Sequence, residues 1–151
     1  MSAHNQSKKI LIVCTGNSCR SQMAHGYLQS LDSSLQVYSA GTFPSNSVNS
    51  MTVRVMNELG IDISSHVPRH AYKLINEEWD YLITVCDNAK KECDHYFSKA
   101  KHRMHIGFED PYSAIGSLEY VHSVYVKVRD EIVEAFKDLY ESFLNTSDNS
   151  V

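Results

Sequence analysis

The stretch Lys9-Ile10-Leu11-Ile12-Val13-Cys14-Thr15-Gly16-Asn17-Ser18-Cys19-Arg20-Ser21 decides the fold. Lys9 to Val13 is a β-branched apolar run without alternation, the pattern of a strand buried on both faces of a parallel sheet. It ends at Cys14. Thr15 to Ser18 are turn-forming, and Met23, Ala24, Tyr27, Leu28 and Leu31 then fall on one helical face. Outward from this strand, loop and helix the rhythm repeats. A second strand reads from Leu35 to Ser39, closed by Ala40-Gly41. Met51, Val55, Met56 and Leu59 mark a helix from about Asn49, stopped by a left-handed Gly60. Tyr81 to Val85 is a third buried strand ending at Cys86, and a weaker fourth lies near Met104 to Ile106. Val121, Val124, Tyr125, Val128, Ile132, Ala135, Phe136, Leu139 and Phe143 keep helical spacing through a long last helix, with a frayed polar end from Asn145 to Val151. This alternation predicts one α/β domain over residues 1–151, with an ordered core at about 9–144. A small parallel sheet is covered by helices on both faces. Chemistry in such sheets collects at the carboxyl ends of the strands, which Cys14, Cys86 and the Glu109-Asp110-Pro111 turn all follow.

Composition excludes several classes of function. The 151 residues are 42% hydrophobic and 21% charged, as in an ordinary globule. The longest strongly apolar run, Ile10 to Cys14, falls far short of the roughly 18 residues of a membrane helix. Lys8 and Lys9 precede it without a signal-peptide cleavage region, so a cytoplasmic chain beginning near Met1 is expected. A net charge of -4 and scattered basic residues offer no stripe for nucleic acid and no polybasic membrane anchor, so any anion must be caught locally. Four cysteines in a reducing compartment point to catalysis, redox chemistry or metal rather than a disulfide framework.

The loop from Cys14 to Ser21 has the parts of an oxyanion cradle. Backbone N–H groups of a glycine-containing loop entering a helix converge on a tetrahedral anion, and the helix dipole favours negative charge there. Arg20 adds a planar fork able to take two oxyanion oxygens. The same field is expected to stabilise the Cys14 thiolate below its usual range, making it a nucleophile toward phosphorus or arsenic. Ser21 can donate to that sulfur, and Asn17 can hold a left-handed kink. A covalent thiolate mechanism also needs an acid for the leaving oxygen. Asp110, stiffened by Pro111, fits that part, with Glu109 as the runner-up.

Val13 through Ser21 resembles the signature loop of the low-molecular-weight protein tyrosine phosphatase superfamily. Val37-Tyr38-Ser39-Ala40-Gly41, Asn57-Glu58-Leu59-Gly60-Ile61-Asp62-Ile63 and Asp110-Pro111 follow in that family's order, so the similarity covers about Lys9 to Tyr140. It implies a three-layer, flavodoxin-like sandwich on a four-stranded parallel sheet. It further implies Cys14 as nucleophile, with Arg20 and the loop residues Thr15, Gly16, Asn17, Ser18, Cys19 and Ser21 around the oxyanion.

The stretch from Ile83 to Cys93 resembles the thioredoxin-coupled arsenate reductase branch of that superfamily. The resemblance implies that Cys14 attacks arsenic, Cys86 attacks Cys14 and Cys93 attacks Cys86. A Cys86–Cys93 disulfide is then left for thioredoxin. If the segment between them is helical, seven steps of about 1.5 Å separate the two Cα atoms by roughly 10 Å, beyond the ~7 Å reach of a disulfide. It must therefore loop out on oxidation, which a short, weak helix allows. No organic cofactor is implied. A potassium site in that branch involves an acidic residue of the first helix, and His25 stands there in this chain. Two further departures are Asp94, where proline is common and where its charge disfavours the Cys93 thiolate, and Tyr112, which is phosphatase-like. The alternative activity is hydrolysis of phosphotyrosine, and the non-enzymatic alternative is an oxyanion-binding module with idle thiols. The histidines are expected to be solvated rather than metal-bound. Tyr120, Tyr125, Phe136, Tyr140 and Phe143 are expected to pack the last helix, and Phe43 to flank the pocket mouth.

Overall fold

The computed structural model describes residues 8–97 and 99–145. The polar end expected to fray therefore lies outside the described residues from position 146 onward. Strands β1 (Lys9–Cys14), β2 (Gln36–Gly41), β3 (Trp79–Thr84) and β4 (Ala100–His105) form one parallel sheet in the order β2-β1-β3-β4. Helices α1 (Arg20–Leu31), α2 (Ser50–Asn57), α3 (Asp87–Cys93) and α4 (Leu118–Leu139) join or follow them. The chain steps from β1 to β2 in one direction and from β3 to β4 in the other. Right-handed crossovers therefore lay α1 and α3 on opposite faces, giving the flavodoxin-like three-layer sandwich with its switch point between β1 and β3.

The strand β1 is central because its residues Ile10 to Cys14 are buried throughout. The third strand begins two residues earlier than its apolar run suggests. Trp79 is fully buried, its indole N–H donating to the Leu74 carbonyl at 3.1 Å, so an indole with a satisfied polar edge opens β3. The fourth strand likewise starts at Ala100, ahead of Met104; as an edge strand with exposed Lys101, His102 and Arg103 it carries no apolar signal there. Asn49 caps α2 by accepting from Met51 N–H at 2.9 Å and Thr52 N–H at 3.1 Å, and Gly60 has φ +78°.

Several packing expectations need correction. Leu31 and Leu59 are exposed, because α1 and α2 reach their ends there and the sheet no longer covers them. On the last helix Tyr125, Phe136 and Leu139 are core, but Tyr120 and Phe143 are exposed, lying on the first and last turns beyond the sheet's edges. The histidines are mostly not solvated. His25, His66, His70, His105 and His122 are each partly buried and hydrogen-bonded. Among the described residues no helix is long and apolar enough to cross a membrane.

Candidate active site

The strand β1 runs out at Cys14, and residues 15–19 turn the chain into α1. The carbonyls of Cys14, Thr15, Gly16 and Ser18 accept from the N–H groups of Thr42, Phe43, Ser45 and Asn49 at 3.0, 2.9, 2.9 and 3.1 Å. In a planar trans peptide the next N–H points opposite to the carbonyl. Fastening four carbonyls to the strap 42–49 therefore turns the following N–H groups inward, which builds the cradle. Asn17 N–H donates to Cys14 Sγ at 3.2 Å, with Asn17 in the left-handed conformation expected of it, φ 53°.

A second chain of donors ends on the same sulfur. The Arg69 N–H donates to Asn17 Oδ1 at 3.0 Å, which fixes the amide so that Nδ2 donates to Ser21 Oγ at 2.7 Å. The Ser21 hydroxyl, having accepted there, has its proton free for Cys14 Sγ at 2.9 Å. Gln22 supports the loop from below, donating to the Asn17 carbonyl at 3.1 Å and held by His66 Nδ1 at 2.8 Å. Sequence reading misses Gln22, His66, Arg69 and the strap, because their partners are far away in the chain.

Cys14 is 2% exposed. Burial pushes its thiol up, against the pull of the Ser21 and Asn17 hydrogen bonds. This corrects the expected resting thiolate. The Arg20 guanidinium is engaged elsewhere, donating to the Phe108 carbonyl at 3.1 Å and lying 3.5 Å from the Asp110 carboxylate. The helix itself starts only at Arg20, with Cys19 as an N-cap whose side chain makes no capping bond, its sulfur lying 3.8 Å from Ser18 Oγ and 3.9 Å from the Tyr125 hydroxyl.

The pocket over the cradle has a volume of about 600 Å³. Cys14, Thr15, Gly16, Ser18, Cys19, Arg20 and Asp110 line it, with Phe43, 80% exposed, and Tyr112, 71% exposed, at its mouth. Asn17 and Ser21, expected around the oxyanion, are instead fully buried behind the loop, bonded to its own atoms. Asp110 caps a short turn at Pro111–Ser113 by accepting from Tyr112 N–H at 3.0 Å. Glu109 points away and pairs with Lys127 at 3.4 Å.

The other two thiols lie at the two ends of α3. Cys86 Sγ is 3.3 Å from Thr15 Oγ1, one residue along from the nucleophile candidate. Cys86 is the N-cap of α3 and Cys93 its last residue, and all four cysteines are free. Burial pushes Cys93 up to about 12; Arg103 opposes this and Asp94 adds to it, as the sequence leads one to expect.

His25 illustrates how the site's underside is built. Its Nδ1 lies 2.8 Å from Ser39 Oγ and its ring 4.5 Å from that of His66. Burial first, then the nearby His66 and Arg69, depress its pKa to about 3. A histidine held neutral in the fold binds its proton only on unfolding, so its contribution is complete above pH 6.5 and is lost as pH falls toward 3. The slope is about 1.4 kcal/mol per pH unit. Urea unfolding at pH 7 and pH 4.5 is expected to show a stability difference smaller by roughly 2–3 kcal/mol in His25→Gln than in the parent. An equal difference in both proteins refutes this.

Cys14, Arg20 and Asp110 thus meet in one pocket where a strand of a flavodoxin-like sheet passes into a helix. The chain belongs to the low molecular weight phosphotyrosine protein phosphatase family, whose pattern matches residues 9–148. It is 40% identical over 138 residues to an arsenate reductase of Shouchella clausii, covering 90% of this chain and 98% of that one. It is 38% identical to an arsenate reductase of Bacillus subtilis, covering 91% and 98%. A solved structure of an arsenate reductase in the phosphate binding state matches with a TM-score of 0.72 and 30% identity, over 89% of this chain and 97% of that one.

Proposed function

We propose that this protein reduces arsenate to arsenite through a three-cysteine relay, with a thioredoxin-type dithiol protein as electron donor. The observation that carries the reading is the Cys86 thiol hydrogen-bonded to Thr15 of the cradle, a group that simple phosphoester hydrolysis does not need. Arsenate enters as phosphate does, its oxygens on the loop N–H groups and on Arg20 once the guanidinium turns from Phe108. The Cys14 thiol and the singly charged dihydrogen arsenate anion form a sulfur–arsenic bond and release water. Asp110 protonates the departing oxygen and the thiol's proton makes good the one Asp110 gives up, so that water leaves, while Ser21 keeps donating to the sulfur. The Cys86 thiolate attacks Cys14 Sγ, and the sulfur–arsenic electron pair leaves on arsenic as arsenite. Cys93 then attacks Cys86 and the pair returns to Cys14. The dithiol donor reduces the Cys86–Cys93 bond.

The surroundings of His25 do not suit potassium. A hard cation takes oxygen ligands, whereas His25 is packed against His66 with Arg69 nearby. Hydrolysis of aryl phosphates is a second activity of the same cradle, favoured by the aromatic walls Phe43 and Tyr112. Peptide mass mapping after arsenate treatment is expected to find a Cys86–Cys93 crosslink. Cys86→Ser and Cys93→Ser are each expected to abolish thioredoxin-dependent arsenite production while leaving aryl phosphate turnover in place. Arsenite production surviving both substitutions sinks the relay.

A further inference from the structure

Arg103 lies on β4, paired in register with Leu82 of β3, and its guanidinium reaches back to the end of α3. It donates to the Cys93 carbonyl at 3.1 Å, to the Tyr96 carbonyl at 3.2 Å, and to that of Phe97. The Cys93 and Phe97 carbonyls also accept from the Tyr96 and Ala100 N–H groups at 3.2 Å each, and a planar fork can reach three carbonyls of this turn at once where an ammonium cannot match the geometry. Phe97, fastened in this way, has φ 61° with its ring buried. A bulky residue keeps that backbone only where its surroundings impose it. The guanidinium also lines, with Cys93, Lys90, Thr84 and His105, a cavity of about 230 Å³. Its charge is the influence drawing the Cys93 thiol toward ionisation, against burial and the carboxylates of Asp94 and Glu92.

We propose that Arg103 is a positioning residue for the second sulfur exchange: its fork holds the end of α3 closed over Cys93, and its guanidinium shares a cavity with that residue. The proposal rests on the relay reading. In the step it serves, the Cys93 thiolate attacks Cys86 Sγ, the Cys86–Cys14 bond breaks, and the electron pair leaves on Cys14. The segment of α3 must unwind to bring the two sulfurs together, and the Arg103 bond to the Cys93 carbonyl stands against that motion together with the helix's own backbone bonds.

The two parts of the role separate in Arg103→Met and Arg103→Lys. Lysine keeps the charge but not the fork, and methionine keeps neither. In reduced protein without arsenate, amide hydrogen exchange over residues 87–97 is expected to be about tenfold faster in both variants than in the parent. Alkylation of Cys93 at pH 8, followed by peptide mapping, is expected to be about tenfold faster in Arg103→Lys than in Arg103→Met, because one opposite charge nearby moves a thiol by about one pH unit. Exchange unchanged from the parent overturns the clasp, and equal alkylation of the two variants overturns the electrostatic part. If Arg103→Met does not fold, Arg103→Gln, which also lacks the charge, takes its place in both comparisons. Arsenate-treated parent protein lacking a Cys86–Cys93 bond overturns the relay itself. With that bond present and both variants behaving as the parent, only the role of Arg103 falls.

Discussion

A Cys14→Ser protein is expected to lose arsenate reduction and aryl phosphate turnover together, by about 10⁴-fold or more, while still binding oxyanion. Both proposed reactions begin with sulfur attacking the central atom of the anion, and a serine hydroxyl at neutral pH supplies no comparable nucleophile. The hydroxyl nevertheless inherits good partners. Ser21 Oγ lies 2.9 Å and the Asn17 N–H 3.2 Å from the present sulfur, so the buried oxygen is not left unsatisfied. Loop N–H groups and Arg20 remain, so phosphate binding by calorimetry is expected to persist within a few-fold, and urea unfolding within about 1.5 kcal/mol. Turnover that survives the substitution sinks Cys14 as the nucleophile. Loss of phosphate binding as well shows instead that the cradle has collapsed.

Gly41→Ala is expected to lower turnover by about 100-fold although residue 41 touches no substrate. Gly41 pairs in register with Cys14 across β1 and β2. A Cβ built there sits 2.3 Å from the Thr15 carbonyl oxygen and 3.1 Å from the Asn17 N and Cβ. Both are backbone-anchored parts of the cradle, so the clash is relieved only by moving the loop. That shift displaces Asn17, and with it the Ser21 hydroxyl and the orientation of the N–H groups. Overpacking of this kind is expected to cost about 1–3 kcal/mol in urea unfolding. Gly60→Ala is the matched control. Gly60 has φ +78° and open space around it, so alanine there strains the backbone without touching the site. Equal turnover in Gly41→Ala and Gly60→Ala refutes the prediction.

Much of the site was legible because it is local. Cys14, the turn residues, Asn17 and Arg20 lie within one strand-to-helix passage, and a buried apolar run followed by helical spacing locates that passage in the fold. The Asp110-Pro111 turn and Cys86 are legible as residues following strands, and Cys93 through the resemblance carried by the stretch from Ile83 to Cys93. Where reading failed, the cause was burial or distance. The protonation of Cys14 depends on how completely the fold removes water from the sulfur, which no local pattern encodes. His25 reads as a polar helix residue and is instead a neutral group pressed against His66. Arg103 reads as one more basic residue on a weak strand, yet it fastens the end of α3.

The amino-acid sequence by itself determined the alternation of strand and helix, the parallel sheet and the strand-to-helix loop from Cys14 to Arg20, since each follows from residue spacing within a few turns of chain. Tertiary structure alone decided which groups hold the cradle in shape: the strap at 42–49, Arg69 on Asn17, Gln22 with His66, and the close approach of the loop to Gly41. It also decided that Cys14 is buried, which pushes its thiol up. The physical reason is the same in each case. Hydrogen-bond partners and solvent exclusion come from segments brought together only when the sheet assembles, and neither periodicity nor residue type records who those neighbours are.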